Sequence, residues 1–160
     1  MKKIIMALGV LSTTTLMCVA SGTSYASPVN GGTPVAGVNV PGKVKSAFHH
    51  EYKDATSPVW AMKNGKWDVS FRKDGVTDMT ACYNWSGHRI DSKMPVSESA
   101  VPDRVINKLK DRYPGEFSHN FTKIDRPWKM DLYEVKVDQM GSHKALYLDK
   151  WGHEHDYAGK

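Results

Sequence analysis

The sequence predicts an α+β fold of two tandem repeats, each a helix followed by an antiparallel β-meander of three or four strands. Two observations support this prediction. A helical periodicity followed by strand periodicity occurs twice along the 160 residues, and the apolar positions of the two halves correspond. Glycine-containing turns between the strand segments favour meanders over parallel crossovers. Because a unit of ~60 residues is only marginally stable alone, we expect the two sheets to join or pack closely, with the helices on one face.

Both predicted helices carry a single apolar stripe. In the first, the stripe runs from Val40 to Tyr52 at positions i, i+4, i+7, i+8 and i+12. In the second, it runs from Val101 to Tyr113 at i, i+4, i+8 and i+12. A proline follows the first valine of each stripe, and the first turn of a helix tolerates proline because its N–H groups lack intrahelical partners. The spacing therefore predicts two helices that each bury one face.

The segments after each helix alternate with a period of two. Residues 67–71 read WDVSF and residues 133–137 read YEVKV, and residues 79–85 and 146–149 continue the pattern. Such alternation is typical of antiparallel strands with one face on the core and the other in water. We therefore expect an open, polar sheet face. The predicted boundaries are 40–91 for the first repeat, 92–100 for a linker and 101–157 for the second repeat.

The N-terminal segment predicts export. Residues 1–26 are predicted to be a cleaved signal peptide, because two lysines precede an apolar run and Ser24-Tyr25-Ala26 offers small residues at −3 and −1 from a cleavage site after Ala26. The apolar run is shorter than the ~20 residues that a membrane span needs. Residues 27–39, rich in Gly and Pro, are predicted to be a flexible leader. We therefore expect a periplasmic or extracellular protein with no membrane span after processing.

Charge and cysteine content narrow the function classes. The formal net charge is +5, and the basic residues are spread along the chain without a cluster, so we expect no nucleic-acid partner. Cys18 would leave with the signal peptide, after which Cys82 has no intrachain partner. The fold must then depend on a hydrophobic core rather than on disulfides. A disulfide-linked dimer through Cys82 stays open.

The sequence resembles a family of exported bacterial proteins. Three patterns carry this resemblance: Val-Pro-x-x-Val at 40–44 and 101–105, an aromatic-x-Val-x-Phe segment at 67–71, and apolar-Asp-x-x-Gly at 148–152. They are similar to those of the PepSY-like family, which has the β-lactamase-inhibitor-protein-like (BLIP-like) fold. The resemblance covers about residues 40–157, although Asn84 stands in the first half where the family has Asp. It implies a tandem α+β module whose curved sheet presents a face to a partner. That partner is a serine hydrolase for the inhibitor relatives, and inhibition of peptidases has been proposed for the PepSY relatives.

The residues predict no enzymatic activity and no cofactor, because they include no recognisable nucleophile, phosphate-loop or His-Glu-x-x-His motif. Cys82 is interpreted as an ordinary strand residue. The alternative function is metal or haem binding by His153 and His155, which at i, i+2 project from one face of an extended strand. These histidines supply two of the three or four ligands that a metal site needs.

The leading prediction is a non-enzymatic protein-binding module, inhibitor-like toward an envelope or extracellular enzyme, that uses the open face of its sheet. The absence of catalytic motifs and the half-exposed meanders support it. The residues predicted to face the protein partner are Asp68, Ser70, Arg72, Thr80, Glu134, Lys136, Tyr147 and Trp151.

Overall fold

The computed structural model describes residues 39–115, 117–139 and 142–157. The predicted signal peptide, and the predicted leader up to residue 38, lie outside the described residues. The elements are α1 (Gly42–Glu51), β1 (Thr56–Lys63), β2 (Lys66–Lys73), β3 (Val76–Tyr83), β4 (Arg89–Val96), a 3-10 turn (Glu98–Ala100), α2 (Asp103–Arg112), β5 (Phe117–Asp125), β6 (Leu132–Gln139) and β7 (Ser142–Leu148). No helix among the described residues is long and apolar enough to cross a membrane.

The strands form one continuous sheet rather than two meanders. All seven strands are antiparallel and lie in the order β1-β2-β3-β4-β5-β6-β7. The central pairing joins the two halves, since Ser92 of β4 lies opposite Asp125 of β5 and Val96 lies opposite Phe121. The predicted fold class of two tandem helix-plus-meander repeats is therefore wrong. Pairing of β4 with β5 removes the two free edges that separate meanders would leave exposed, which is the physical reason to prefer one sheet.

Both helices pack on the same face of the sheet, and each buries the apolar stripe that its sequence shows. Val44 and Phe48 of α1 are fully buried in a cluster with Trp67 and Phe71 of β2. On the other half, α2 contributes to a second cluster with β5, β6 and β7, in which Leu109 is fully buried. Each helix is preceded by a proline whose carbonyl oxygen accepts the first helical hydrogen bonds.

Two turns touch the helices through glycine, and both glycines are at positive φ. A Cβ on Gly87 (φ +84°), in the turn after β3, would lie 2.8 Å from the carbonyl oxygen of Lys43 in α1. A Cβ on Gly152 (φ +85°), after β7, would lie 3.1 Å from the carbonyl oxygen of Arg104 in α2. Glycine is required there by both the close approach and the backbone conformation. These contacts hold α1 against the turn after β3 and α2 against the turn after β7.

Candidate functional site

The face of the sheet without helices carries several of the predicted partner-binding residues. Asp68 lies opposite Cys82, and Ser70 lies opposite Thr80, in the pairing of β2 with β3. The next strand continues both rows, with Asp91 beside Cys82 and Lys93 beside Thr80. Arg72 is exposed farther along β2, where it lies opposite Thr56. The open face therefore brings Asp68, Ser70 and Thr80 together and leaves Arg72 at its margin.

The predicted residues of the second half lie on the same face and are linked to the first half by an ion pair. Glu134 of β6 lies opposite Tyr147 of β7, and Lys136 lies opposite Ala145. The Lys93 ammonium of β4 is 3.2 Å from a carboxylate oxygen of Glu134, so the ion pair spans the intervening strand β5. Both side chains are partly buried, which strengthens a charge pair relative to one in bulk water.

A C-terminal segment, residues 153–157, folds back across part of this face. Its Glu154 forms a bridge with Leu148, and the N–H of His155 donates to the carbonyl oxygen of Tyr147. Tyr157 then packs its ring against that of Tyr147, with 4.8 Å between centroids, and its hydroxyl donates a 2.7 Å hydrogen bond to Asp91. The segment therefore extends from β7 to β4. It passes over β5 and β6.

Two aliphatic side chains on this face of the sheet are buried. Ile124 of β5 and Leu132 of β6 lie opposite each other and on the side of the sheet that faces away from the helices. Both are nonetheless fully buried. Leaving two aliphatic side chains exposed would cost about 1.5–3 kcal/mol each. The C-terminal segment crosses the face where they lie.

One part of the open face, between β1 and Tyr157, forms a cavity of about 160 Å³. Its floor combines acidic, basic and small side chains. The lining residues include Val59, Ala61, Lys63, Lys66, Asp68, Ser70, Thr80, Cys82, Asp91, Lys93 and Tyr157. The cavity is thus walled by β1 on one side and by the C-terminal segment on the other.

Electrostatics in the cavity disfavour catalysis by the cysteine. Burial raises the pKa of the Cys82 thiol, and the adjacent Asp68 carboxylate, to which the thiol donates a hydrogen bond, raises it further. Burial also raises the pKa of Asp68, while the bond from Cys82 lowers it. Since the thiolate is the nucleophile, this thiol is poorly suited to covalent chemistry. The arrangement can accept and donate hydrogen bonds, and it can exclude water from a guest side chain.

The two histidines of the alternative prediction meet at one buried carboxylate. Asp149 is 2% exposed, and its Oδ2 lies 2.9 Å from Nε2 of His155 and 3.2 Å from Nδ1 of His153. Its Oδ1 accepts backbone hydrogen bonds from Trp151 and His153. Burial raises the pKa of Asp149, but the hydrogen bonds from His155, from the two N–H groups and from His153 outweigh it and hold the pKa at about 2. Among the described residues, no group of three or more His, Cys, Asp or Glu is arranged to hold a metal ion.

Trp151 lies apart from the other predicted partner-binding residues. It occupies the turn after β7, next to the glycine that touches α2, and its ring is covered by the Lys150 ammonium at 4.5 Å. The site residues that sequence reasoning missed are Asp91, Lys93 and Tyr157. Residues 92–96, expected in a linker, lie in β4. A strand of eight residues with polar side chains on both faces gives little period-two signal, and no local pattern predicts the long reach of Tyr157.

These features define a class of protein: an α+β fold with one antiparallel sheet, two helices on one face of the sheet and an open opposite face. The fold is similar to that of several Bacteroides structures. A DUF2874 family protein from Bacteroides ovatus ATCC 8483 matches with a TM-score of 0.67 and 20% identity over 75% of this chain and 87% of that chain. A BLIP-like protein from Bacteroides fragilis NCTC 9343 matches with a TM-score of 0.65 and 15% identity, over 74% and 85%. A candidate periplasmic protein from Bacteroides eggerthii DSM 20697 matches with a TM-score of 0.67 and 16% identity, over 73% and 86%.

These similarities show the fold and nothing finer. The expected BLIP-like fold is confirmed, whereas the PepSY-like family and the tandem repeat receive no support from them. No protein-family model matches the sequence, and no curated protein matches it.

Proposed function

We propose that this protein is an exported, non-enzymatic protein-binding module whose ligand-binding surface is the open face from β1 to Tyr157. The observation that carries the proposal is the cavity of about 160 Å³ on a sheet face that no helix covers. Residues 1–26 would act as the cleaved signal peptide and residues 27–39 as the leader, so that the module acts in the periplasm or outside the cell. PepSY-like membership is the finer family assignment that accompanies this proposal.

The cavity is built to receive a side chain or loop from a protein partner. Asp68 and Asp91 supply hydrogen-bond acceptors, and Lys93 supplies a donor, within a floor fixed by strand pairing on both sides. A rigid sheet loses little conformational entropy on binding, so the gain from each contact is retained in the affinity. Thr80 and Ser70 add small hydroxyl groups that leave room for the guest.

The C-terminal segment helps to define this surface. Tyr157 presents an aromatic ring at the cavity wall, and its position is held by the bond to Asp91 and by the Lys93 ammonium 5.1 Å from the ring centroid. Rigid aromatic side chains of this kind dominate the energetics of many protein interfaces. The name of the BLIP-like Bacteroides neighbour supports an inhibitor-like role toward an envelope or extracellular enzyme, which is the finer form of the proposal.

The test compares two substitutions of the same kind. Ser70→Arg introduces a large cation into the cavity, whereas Ser46→Arg adds the same group to the exposed surface of α1. Both variants and the unmodified protein are used as bait for proteins from the envelope fraction of the source organism, and retained proteins are quantified by mass spectrometry. A partner retained by the unmodified protein and by Ser46→Arg, but lost with Ser70→Arg, supports the proposal. A partner retained equally by all three would place the binding surface elsewhere.

A further inference from the structure

The exposed apolar side chains are concentrated at one end of the sheet. Because the strands are antiparallel and adjacent in chain order, β1, β3, β5 and β7 all finish at the same end. The large hydrophobic residues that are exposed in the described part of the chain all lie there. They are Met62 at the end of β1, Trp85 after β3, Trp128 and Met130 after β5, and Trp151 after β7. We call the described turns 64–65, 84–88, 126–131 and 149–153, with Met62, Lys63 and Lys66, the tryptophan end.

The tryptophans are held outward by ordered turns. Trp128 is fully exposed at φ +64°, and its turn is closed by Arg126, whose guanidinium donates two hydrogen bonds, of 3.0 and 2.5 Å, to the carbonyl oxygen of Met130. Trp85 is 53% exposed and packs edge-on against the buried ring of Trp67, with 5.2 Å between centroids. The turns therefore present indole rings to the outside at fixed positions.

Basic side chains accompany the tryptophans. Lys66, Arg126, Lys129 and Lys150 lie in or beside these turns. The carboxylates of the same described turns are already engaged: Asp131 forms a 2.9 Å ion pair with Lys123, and the buried Asp149 is hydrogen-bonded to histidines. The tryptophan end thus holds five basic residues, with Lys63 included, against two carboxylates, which is a formal charge of +3 with histidine neutral and makes its potential positive.

The opposite end of the sheet differs in both respects. Its turns include Asp54 and Asp74 with Lys53 and Lys73, and there Lys73 is paired with Asp74 at 2.8 Å. None of the exposed large apolar side chains of the described residues lies there. The asymmetry between the two ends is the feature that needs a physical explanation.

Tryptophan and lysine together suit a lipid surface. Indole has an apolar body and one polar N–H, and it concentrates at the boundary between headgroups and acyl chains. Lysine and arginine are attracted to anionic headgroups and contribute cooperatively with apolar insertion. Four separate turns at one end form a broad contact surface. A bilayer can contact all four turns at once, whereas a single apolar pocket on a protein partner cannot.

We propose that the tryptophan end binds the surface of a membrane that contains anionic lipids. Docked in this way, the protein does not span the bilayer. The cavity of the open face shares Lys63, Asn64 and Lys66 with the tryptophan end, whereas Asp68, Ser70, Thr80, Cys82, Asp91, Lys93 and Tyr157 lie outside it. The proposal therefore does not depend on the proposed protein-binding function. Apart from Trp151 and the cavity-lining residues at its edge, this surface takes no part in the proposed protein binding.

The experiment measures partitioning of the exported chain, collected after processing by an expression host and with its N-terminus determined by mass spectrometry. Vesicles of phosphatidylglycerol and phosphatidylcholine in equal parts are compared with vesicles of phosphatidylcholine alone, by sedimentation and by tryptophan emission. Lys129→Glu is compared with Lys53→Glu, since both lysines are exposed, both changes alter the net charge equally, and the two lie at opposite ends of the sheet. Trp128→Ala tests the apolar contribution at a position where its fully exposed side chain contributes little to folding.

We expect binding to the anionic vesicles with a blue shift of the emission, and weaker binding to phosphatidylcholine alone. Lys129→Glu should reduce the partition coefficient about fivefold or more, and Trp128→Ala about tenfold. Lys53→Glu should leave it close to that of the unmodified protein. The proposal is overturned if no vesicle binds, if Trp128→Ala has no effect, or if Lys53→Glu reduces binding as much as Lys129→Glu. If the unmodified protein binds no vesicles but captures an envelope protein that Trp128→Ala fails to capture, the tryptophan end binds a protein partner and the proposal is overturned.

Discussion

Replacing Asp149 by asparagine separates the charge of this residue from its hydrogen bonds. Asp149 is 2% exposed and accepts two backbone hydrogen bonds, from Trp151 at 2.9 Å and from His153 at 3.0 Å, through one oxygen. The other oxygen contacts the two histidines. Asn84 makes the same two backbone bonds in the turn after β3, so an amide is compatible with this turn geometry. Asp149→Asn therefore keeps the backbone bonds and removes the charge.

The pKa of Asp149 gives the size of the effect. Its value of about 2 lies below the ordinary 3.8, because the hydrogen bonds that stabilise the carboxylate outweigh its burial. At about 1.4 kcal/mol per pKa unit, the charged form contributes about 2 kcal/mol to the free energy of unfolding. Because the folded pKa is the lower one, this stabilisation is complete above pH 3.8 and is lost as the pH falls toward about 2.

Urea denaturation across neutral and acidic pH measures this contribution. We expect Asp149→Asn to lower the free energy of unfolding by about 2 kcal/mol at neutral pH and to flatten its decline in acid. Asp149→Ala should cost more, by about 1–3 kcal/mol for each backbone N–H left without an acceptor. The control is Asp138→Asn, an exposed aspartate 3.8 Å from a histidine, which should change stability by less than about 1 kcal/mol. If Asp149→Asn matched the unmodified protein at every pH, the reasoning would be refuted.

Three further predictions concern the turns, the cysteine and the C-terminal segment. Gly87→Ala should lower the free energy of unfolding by about 2–3 kcal/mol, because alanine is strained at this positive φ and its Cβ would also clash with the first turn of α1. Gly65→Ala, at positive φ but with open space around it, should lower it by about 1 kcal/mol, and equal losses in urea denaturation would contradict this. Cys82 should resist alkylation in the folded protein at mildly alkaline pH, because burial and the neighbouring Asp68 carboxylate raise the pKa of its thiol, and it should react once urea is added. Rapid labelling of the folded protein would be inconsistent with that environment. Tyr157→Phe should lower the free energy of unfolding by about 1–2 kcal/mol through loss of the bond to Asp91, and a variant with unchanged stability would show that this contact contributes nothing.

Local patterns determined much of the secondary structure and part of the site. The stripe from Val40 and the one from Val101 both became buried helix faces, because a 3.6-residue period leaves one side of a helix apolar. Period-two alternation placed Asp68, Ser70 and Thr80 on one face, since a short hairpin fixes which residues of adjacent strands lie opposite each other. These inferences need only contacts between residues close in the chain.

Tertiary structure alone decided how the halves combine and where the site ends. The pairing of β4 with β5 joins strands separated by α2, and no short turn specifies that register, so the sequence was compatible with two separate sheets. The reach of Tyr157 to Asp91 likewise depends on a segment that returns across two strands, over the face on which Ile124 and Leu132 are buried. The clustering of the exposed tryptophans at one end also depends on the order of the strands in the sheet, because residues 85, 128 and 151 are neighbours only in space.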